Sequence, residues 1–362
     1  MKSVKSVRPS SLYARSTTSL CSIVVRLCIA SFYLGLFVSA QGQQTVIMAG
    51  GLSSPTVGIA LTATFGTLSI RHADGSFEDI GRVDGSDRYI SMIQRLSSPE
   101  QKHLAPPYST MEEMWADLPR QGPRAIKRAL GLPASSDVKI LTEILEPLLD
   151  LYPSPEKVRT AVISYPPAVA LYNEDIVDAA AYLNVRVQSG THFGQPREMI
   201  AAYAGYGRGL CTDPSDKQGC LDELGGLHEV DVLHVEYTLK AMLLHVAAVR
   251  GAQSRADWEI HAVAHYDLGS DGRDDDGYEE RVERCLESLL ADEYGGKWPE
   301  SLVVIVTGNE DNIGDGSVRD TIKHALELRG LTSVEILLDN PEYVAARGAA
   351  ELAWRGREFY PE

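Results

Sequence analysis

The sequence predicts an α/β protein of two lobes, each a mixed sheet with flanking helices. Three observations carry that prediction. Apolar runs of strand length alternate with segments of helical spacing along the chain. Some neighbouring runs are separated only by a few turn residues and read as hairpins, so the sheets cannot be purely parallel. Near the C-terminus, residues 302–306 (Leu-Val-Val-Ile-Val) break at Thr307-Gly308-Asn309, a helical segment covers 318–330, and a second apolar run covers 334–338. A buried strand that enters a glycine turn and then a helix can offer backbone N–H groups to a phosphate or nucleoside.

Taken in order, the first forty residues read as a leader. Lys2, Lys5, Arg8, Arg15 and Arg26 make it basic, with no acidic residue. Residues 27–38 form an apolar core of 12 residues, and Val38-Ser39-Ala40 is the small-residue pattern that signal peptidase cuts. A spanning helix needs about 20 apolar residues. The reading is a cleaved signal peptide over 1–40, the alternative being an uncleaved anchor, and it sends a soluble product into the secretory pathway. Cleavage takes the formal net charge from −16 to −21. Such an acidic surface argues against nucleic acid and anionic membranes as partners. Cys211, Cys220 and Cys285 follow the leader. The first two flank a turn-rich loop and are expected to join in an oxidising compartment, as a structural staple rather than a redox pair. Cys285 reads as a buried thiol on a helix.

Past the leader, residues 45–51 form a strand-like run, and residues 56–70 read as a strand, a Thr/Gly turn and a return strand. Asp74-Gly75 signals another turn. Residues 84–118 are mixed, with a break at Ala105-Pro106-Pro107. Residues 142–151 look helical, 159–165 read as a buried strand, 176–183 as a helix, 185–187 as a short strand and 197–206 as a helix. Residues 231–250 are long and apolar, and either a hairpin or a helix satisfies them. Residues 258–265 alternate like a strand, and 278–294 have helical spacing. Gly205-Tyr206-Gly207-Arg208-Gly209 follows a helix and reads as a helix stop. The acidic run 267–280 is rich in oxygen ligands, but Gly269 and Tyr278 stand at the third and twelfth positions from Asp267, so it reads as a solvated loop rather than a Ca²⁺ site. No nucleophile elbow, zinc-protease helix or P-loop lysine motif is present.

In this order the segments resemble the actin-like ATPase (ribonuclease H-like) fold in the version used by the heat shock protein 70 family. Gly58-Ile59-Ala60-Leu61-Thr62-Ala63-Thr64 stands where the family has its first phosphate loop, and residues 160–167 resemble its A-V-I-T-V-P strand. Residues 231–246 stand in place of the second phosphate loop. Asn340-Pro341-Glu342, followed by Ala345-Ala346-Arg347-Gly348-Ala349-Ala350, resembles the end of its last nucleotide segment. The resemblance implies a first lobe over 45–190, a second over 191–362 with a shortened adenine-clamp subdomain, and a cleft for ATP or ADP with Mg²⁺. Gly58, Thr62, Thr64, Glu236, Gly308 and Asn309 are the matching candidates for nucleotide binding, the bland reading of Thr62, Thr64, Gly58, Gly308 and Asn309 being ordinary turn residues. Glu236 could stand in for the family's metal-sphere carboxylate or be a strand residue, solvated or hydrogen-bonded.

The departures point away from hydrolysis. The family's first-loop Asp is Ala60 and its glycine is Thr62. The second loop's Asp-x-Gly-Gly-Gly becomes Glu236-Tyr237-Thr238-Leu239-Lys240, so side chains stand where glycines would let backbone approach a phosphate. Glu310 and Asp311 add negative charge beside the final motif, and Gln94-Arg95 lacks the lysine the family places near that position. The family also carries a peptide-binding domain after the ATPase; the chain stops at Glu362. These features predict a degenerate, non-hydrolysing nucleotide-domain protein without a peptide-binding domain, whose partner is another protein. The competing expectation is a divergent ATPase using Glu236, Thr62 and Thr64.

Overall fold

The computed structural model describes residues 55–154, 157–189, 194–252, 261–314 and 316–359. Strand β1 (Thr56–Leu61) is buried along its whole length and turns back into β2 (Phe65–Arg71). The three-residue turn contains no glycine, and Thr62 closes it. Its N–H donates to the Phe65 carbonyl at 2.8 Å, and its hydroxyl accepts from the Thr64 and Phe65 N–H groups at 3.2 and 3.0 Å. The Asp74-Gly75 turn, with Gly75 at φ +88°, leads into β3 (Phe77–Asp84). Helices α1 (Asp87–Leu96), α2 (Met111–Ala129) and α3 (Ser136–Asp150) precede β4 (Thr160–Ser164); α4 (Asn173–Tyr182) then connects to β5 (Arg186–Val187).

Helices α5 (Glu198–Gly205) and α6 (Lys217–Gly226) lead to the second sheet. It comprises β6 (Val230–Tyr237), β7 (Met242–Val249), β8 (His261–His265), β9 (Leu302–Gly308) and β10 (Val334–Leu337), with α7 (Tyr278–Tyr294) before β9 and α8 (Glu310–Ile313) and α9 (Ser317–Glu327) after it. The fold is mixed α/β, with two mixed five-stranded sheets and flanking helices. The first sheet runs β3-β2-β1-β4-β5 and the second β8-β7-β6-β9-β10. In each, the first three strands in sequence are antiparallel neighbours and the next two lie parallel to the first. The second sheet therefore repeats the order and directions of the first.

Residues 231–250 are the β6–β7 hairpin, which settles the choice left open by their composition. Its turn is built like the first one: the Thr238 N–H donates to the Ala241 carbonyl at 2.9 Å, and its hydroxyl accepts from the Ala241 N–H at 3.1 Å. The helices at 87–96, 111–129 and 217–226 and the strand at 77–84 are additions to the sequence reading. The leader and the run at 45–51 lie outside the described residues, as do residues 258–260 of the strand expected at 258–265. Among the described residues, no helix is long and apolar enough to cross a membrane. Cys211 and Cys220 form a disulfide with their Cα atoms 5.0 Å apart, and Cys285 is a free, buried thiol on α7.

Three apolar clusters hold these layers. One packs β1 and β2 against α1, α3 and α4; a second packs β6, β7 and β9 against α7 and α9. The third lies between the two sheets, where α5 meets α10 (Val344–Phe359). There the contact is backbone to backbone. A Cβ on Gly58 would stand 2.1 Å from the Ala346 carbonyl oxygen, and one on Gly348 would stand 1.7 Å from that of Ala201. The alanines and glycine of residues 345–350 are thus where α10 crosses β1 and α5.

Candidate functional site

Strand alternation sorts β6 into two faces. Leu233, Val235 and Tyr237 enter the cluster under α7 and α9, while Val232 enters the cluster between the sheets. His234 and Glu236 share the second face with Val232, and both are fully buried. On β9 the same alternation turns Val303, Ile305 and Thr307 to that side, and register pairs Glu236 with Thr307. Helix α5 starts against them. Its first residue, Glu198, is fixed by its N–H donating to the Tyr165 carbonyl at 2.9 Å, which lays the carboxyl against the sheet.

A chain of polar groups results. The Ala63 N–H, at the tip of the β1–β2 turn, donates to Glu236 Oε1 at 2.5 Å. The Thr307 hydroxyl donates to Glu198 Oε1 at 2.7 Å and lies 2.8 Å from His234 Nε2, which therefore carries the donating hydrogen. His245 stands opposite His234 across the β6–β7 ladder. Tyr89 of α1 donates to the Thr62 carbonyl at 2.6 Å and steadies the turn. Glu198 Oε2, Glu236 Oε2, His234 Nδ1 and His245 Nδ1 are buried without a partner of their own.

Burial governs how this cluster ionises. It raises the Glu198 carboxyl well above the carboxylate range, and repulsion from Glu236 adds to the rise. It also raises Glu236, to about 7. Two carboxylates placed together in a dry interior do not both ionise. Repulsion from Glu236 favours the proton on Glu198, while the Ala63 N–H favours the charge on Glu236. Burial pushes the His234 imidazole down to about 3 and His245 well below its ordinary value, so both rings are neutral. The cluster can hold one negative charge and exchange one proton.

Of the six candidates taken from the sequence, the structure brings Glu236 and the Thr62–Thr64 turn together. Thr62 is engaged in closing its own turn, and the Thr64 carbonyl accepts from the Gly85 N–H at 2.7 Å. Gly308, at φ +130°, and Asn309 lie one strand away, beside Tyr237. Their N–H groups donate to the Pro341 and Tyr237 carbonyls at 3.0 and 3.1 Å, and the Asn309 side chain caps α8 through the Asp311 N–H. Gly58 faces α10. Glu198, His234 and His245 are residues of this cluster that the sequence reading did not name, and Thr307 was named only as part of the break after the strand. The period-2 spacing of His234 and Glu236 in the otherwise apolar run 232–237 was the available signal for part of the group.

Mg²⁺ with a nucleotide does not fit these residues as they stand. The turn N–H that would meet a phosphate oxygen already meets a carboxylate, burial drives the Glu198 carboxyl toward its neutral form, and the Gly308 and Asn309 donors are spent on carbonyls. Among the described residues, no group of three or more His, Cys, Asp or Glu side chains is arranged to hold a metal ion. The acidic loop docks its backbone on the second hairpin, with the Ser270 and Asp271 N–H groups donating to the Thr238 and Leu239 carbonyls, and leaves Asp271, Asp274, Asp275 and Asp276 exposed. No family model and no curated protein matches the sequence.

Proposed function

We propose that this chain is a degenerate actin-like ATPase domain, similar to the nucleotide domain of heat shock protein 70, that does not hydrolyse ATP and serves as a protein-binding module in the secretory pathway. The repeated sheet order and the helices crossing between the sheets support the fold part of this reading. One observation carries the functional part: the Glu236 carboxylate of the second hairpin fills the N–H donor of the first. A phosphate entering there would have to displace a buried, hydrogen-bonded acceptor of its own charge sign, and loss of such a bond leaves a buried donor unsatisfied. The Cys211–Cys220 disulfide supports an oxidising compartment.

Titration calorimetry with ATP and ADP, with and without Mg²⁺, tests the reading. The expected result is no binding heat up to about 1 mM nucleotide and no phosphate release. The unpartnered Oε2 atoms of Glu198 and Glu236 favour a second reading, a divergent ATPase whose carboxyl pair opens to a ligand. That reading calls for a Mg²⁺-dependent rise in melting temperature with nucleotide and hydrolysis abolished by Glu236→Gln.

A further inference from the structure

Helix α2 is amphipathic the wrong way round. At 100° per residue, Asp117, Gln121, Arg124 and Arg128 fall on one face, and Met111, Trp115, Ile126 and Leu130 fall on the opposite one. The polar face is the inward one. Arg124 donates to Asp175 and Asp178 of α4 at 2.9 and 2.7 Å, Arg128 donates to Asp178 at 3.0 Å, and Arg120 and Gln121 both reach Glu174. The apolar face points to solvent: Met111 is 59% exposed, Trp115 50%, Ile126 48% and Leu130 69%. No residue of α2 belongs to any of the three apolar clusters. Leu132 lies just beyond its end, and Leu104, whose carbonyl accepts from Arg120, lies beside it; both are exposed. A row of large apolar side chains about 28 Å long, left in water by a helix that is anchored through ion pairs, marks an interaction face.

We propose that this face binds the same face of a second copy of the chain, with the two α2 helices antiparallel about a twofold axis. Charge chooses this occupant. The exposed ends of α2 carry opposite signs, Glu112 in the first turn and Lys127 in the last. In an isologous pair each patch meets itself reversed. An axis passing beside Arg120 and Gln121 sets Met111 opposite the second copy's Leu130 and Trp115 opposite its Ile126. The same axis brings Glu112 to the second copy's Lys127, so apolar and charged positions match in one register. Pro119 and Pro123, both exposed, lie at the centre and bring no N–H to desolvate. One helix pair with its Leu104 and Leu132 borders is smaller than a standard interface of about 800 Å² per partner, so the dimer is expected to form in the micromolar range. The proposal is independent of whether the Glu198–Glu236 site takes a nucleotide.

Sedimentation velocity of the full chain from about 1 to about 100 μM reads the outcome. A reversible dimer is expected. Trp115→Ser with Ile126→Ser, both at exposed positions, is expected to weaken it at least about tenfold with the melting temperature unchanged. Glu112→Lys alone is expected to weaken the dimer, and adding Lys127→Glu to restore it. A monomer throughout the range overturns the proposal, as does a dimer indifferent to the Trp115/Ile126 pair. A monomer that instead binds phosphatidylcholine vesicles through Trp115 also overturns it, in favour of a lipid surface.

Discussion

The two sheets repeat one topology but solve their meeting with the central helices in opposite ways. In the first sheet, the positions facing the sheet junction are Gly58 and Ala60 on β1 and Ser164 on β4; in the second, the corresponding positions are His234 and Glu236 on β6 and Thr307 on β9. The two Thr-closed turns set this correspondence, since Ala60 precedes Thr62 and Glu236 precedes Thr238 by the same two residues. Small residues let α10 lie on β1 at backbone distance. Polar side chains hold α5 to β9 and the opposite turn to β6 through hydrogen bonds. The same scaffold thus packs one half by removing side chains and the other by pairing them. The second solution carries titratable groups, which makes it the half that responds to solution conditions.

The contrast can be broken most severely on the packed side. Gly348→Leu places a side chain where even a Cβ meets the Ala201 carbonyl at 1.7 Å. The helices have to part, and a loss on the order of 5 kcal/mol or more, read as failure to give a cooperative melt, is expected. On the polar side, Glu236→Ala orphans the buried Ala63 N–H and leaves a cavity, and chemical denaturation is expected to show a loss of about 2–4 kcal/mol. Equal losses from the two variants would mean that the distinction between the halves is not energetic.

Titration sharpens the same contrast. Glu236 has a folded value of about 7 against an ordinary 4.5, so its contribution is whole below about pH 4.5 and is lost as pH rises through about 7. Glu198 is shifted in the same direction. His234, at about 3 against an ordinary 6.5, contributes fully above about pH 6.5 and loses that contribution as pH falls through about 3; His245 shares its direction. The opposing slopes of Glu236 and His234 cancel between about pH 4.5 and 6.5, and from about pH 6.5 to 7 the Glu236 slope alone costs about 0.7 kcal/mol. Melting temperatures across pH should show that shape, and Glu236→Gln should shrink the alkaline limb. The smallest effect tests the repetition itself. Thr62→Ala and Thr238→Ala remove matching turn closures and are each expected to cost about 1 kcal/mol; a large inequality would show that the turns differ in more than sequence.

Much of this architecture is legible in the residues and some is concealed by them. The β9 strand, its glycine turn and the helix after it stand out because apolar run, breaker and helical spacing occur in succession. The β6–β7 hairpin is ambiguous because Thr238-Leu239-Lys240 contains no Gly, Pro, Asn or Asp, and the hydroxyl that closes the turn leaves no compositional mark. Helix α2 escapes notice because Pro119 and Pro123 argue against it and its apolar residues face outward. Strand β3 is half exposed and charged, without a clean alternation. In the site, Glu236 could be singled out from its place in the chain, but its burial could not. Glu198 is read by default as a solvated helix start, and only the three-dimensional meeting of α5 with β9 gives it Thr307 as a donor.

The crossing of α10 over β1 also has a consequence for how the protein is made. The Thr56 hydroxyl donates to the Ala350 carbonyl, a partner 294 residues later in the chain. At ordinary ribosomal rates, β1 waits roughly 15 to 60 s for that helix to be synthesised. During this interval Gly58 and Ala60 lie on a bare sheet face, and the first half cannot finish before the second emerges. Biogenesis of this chain is expected to depend on a holding factor in its early phase, and pausing late in translation would lengthen the exposure.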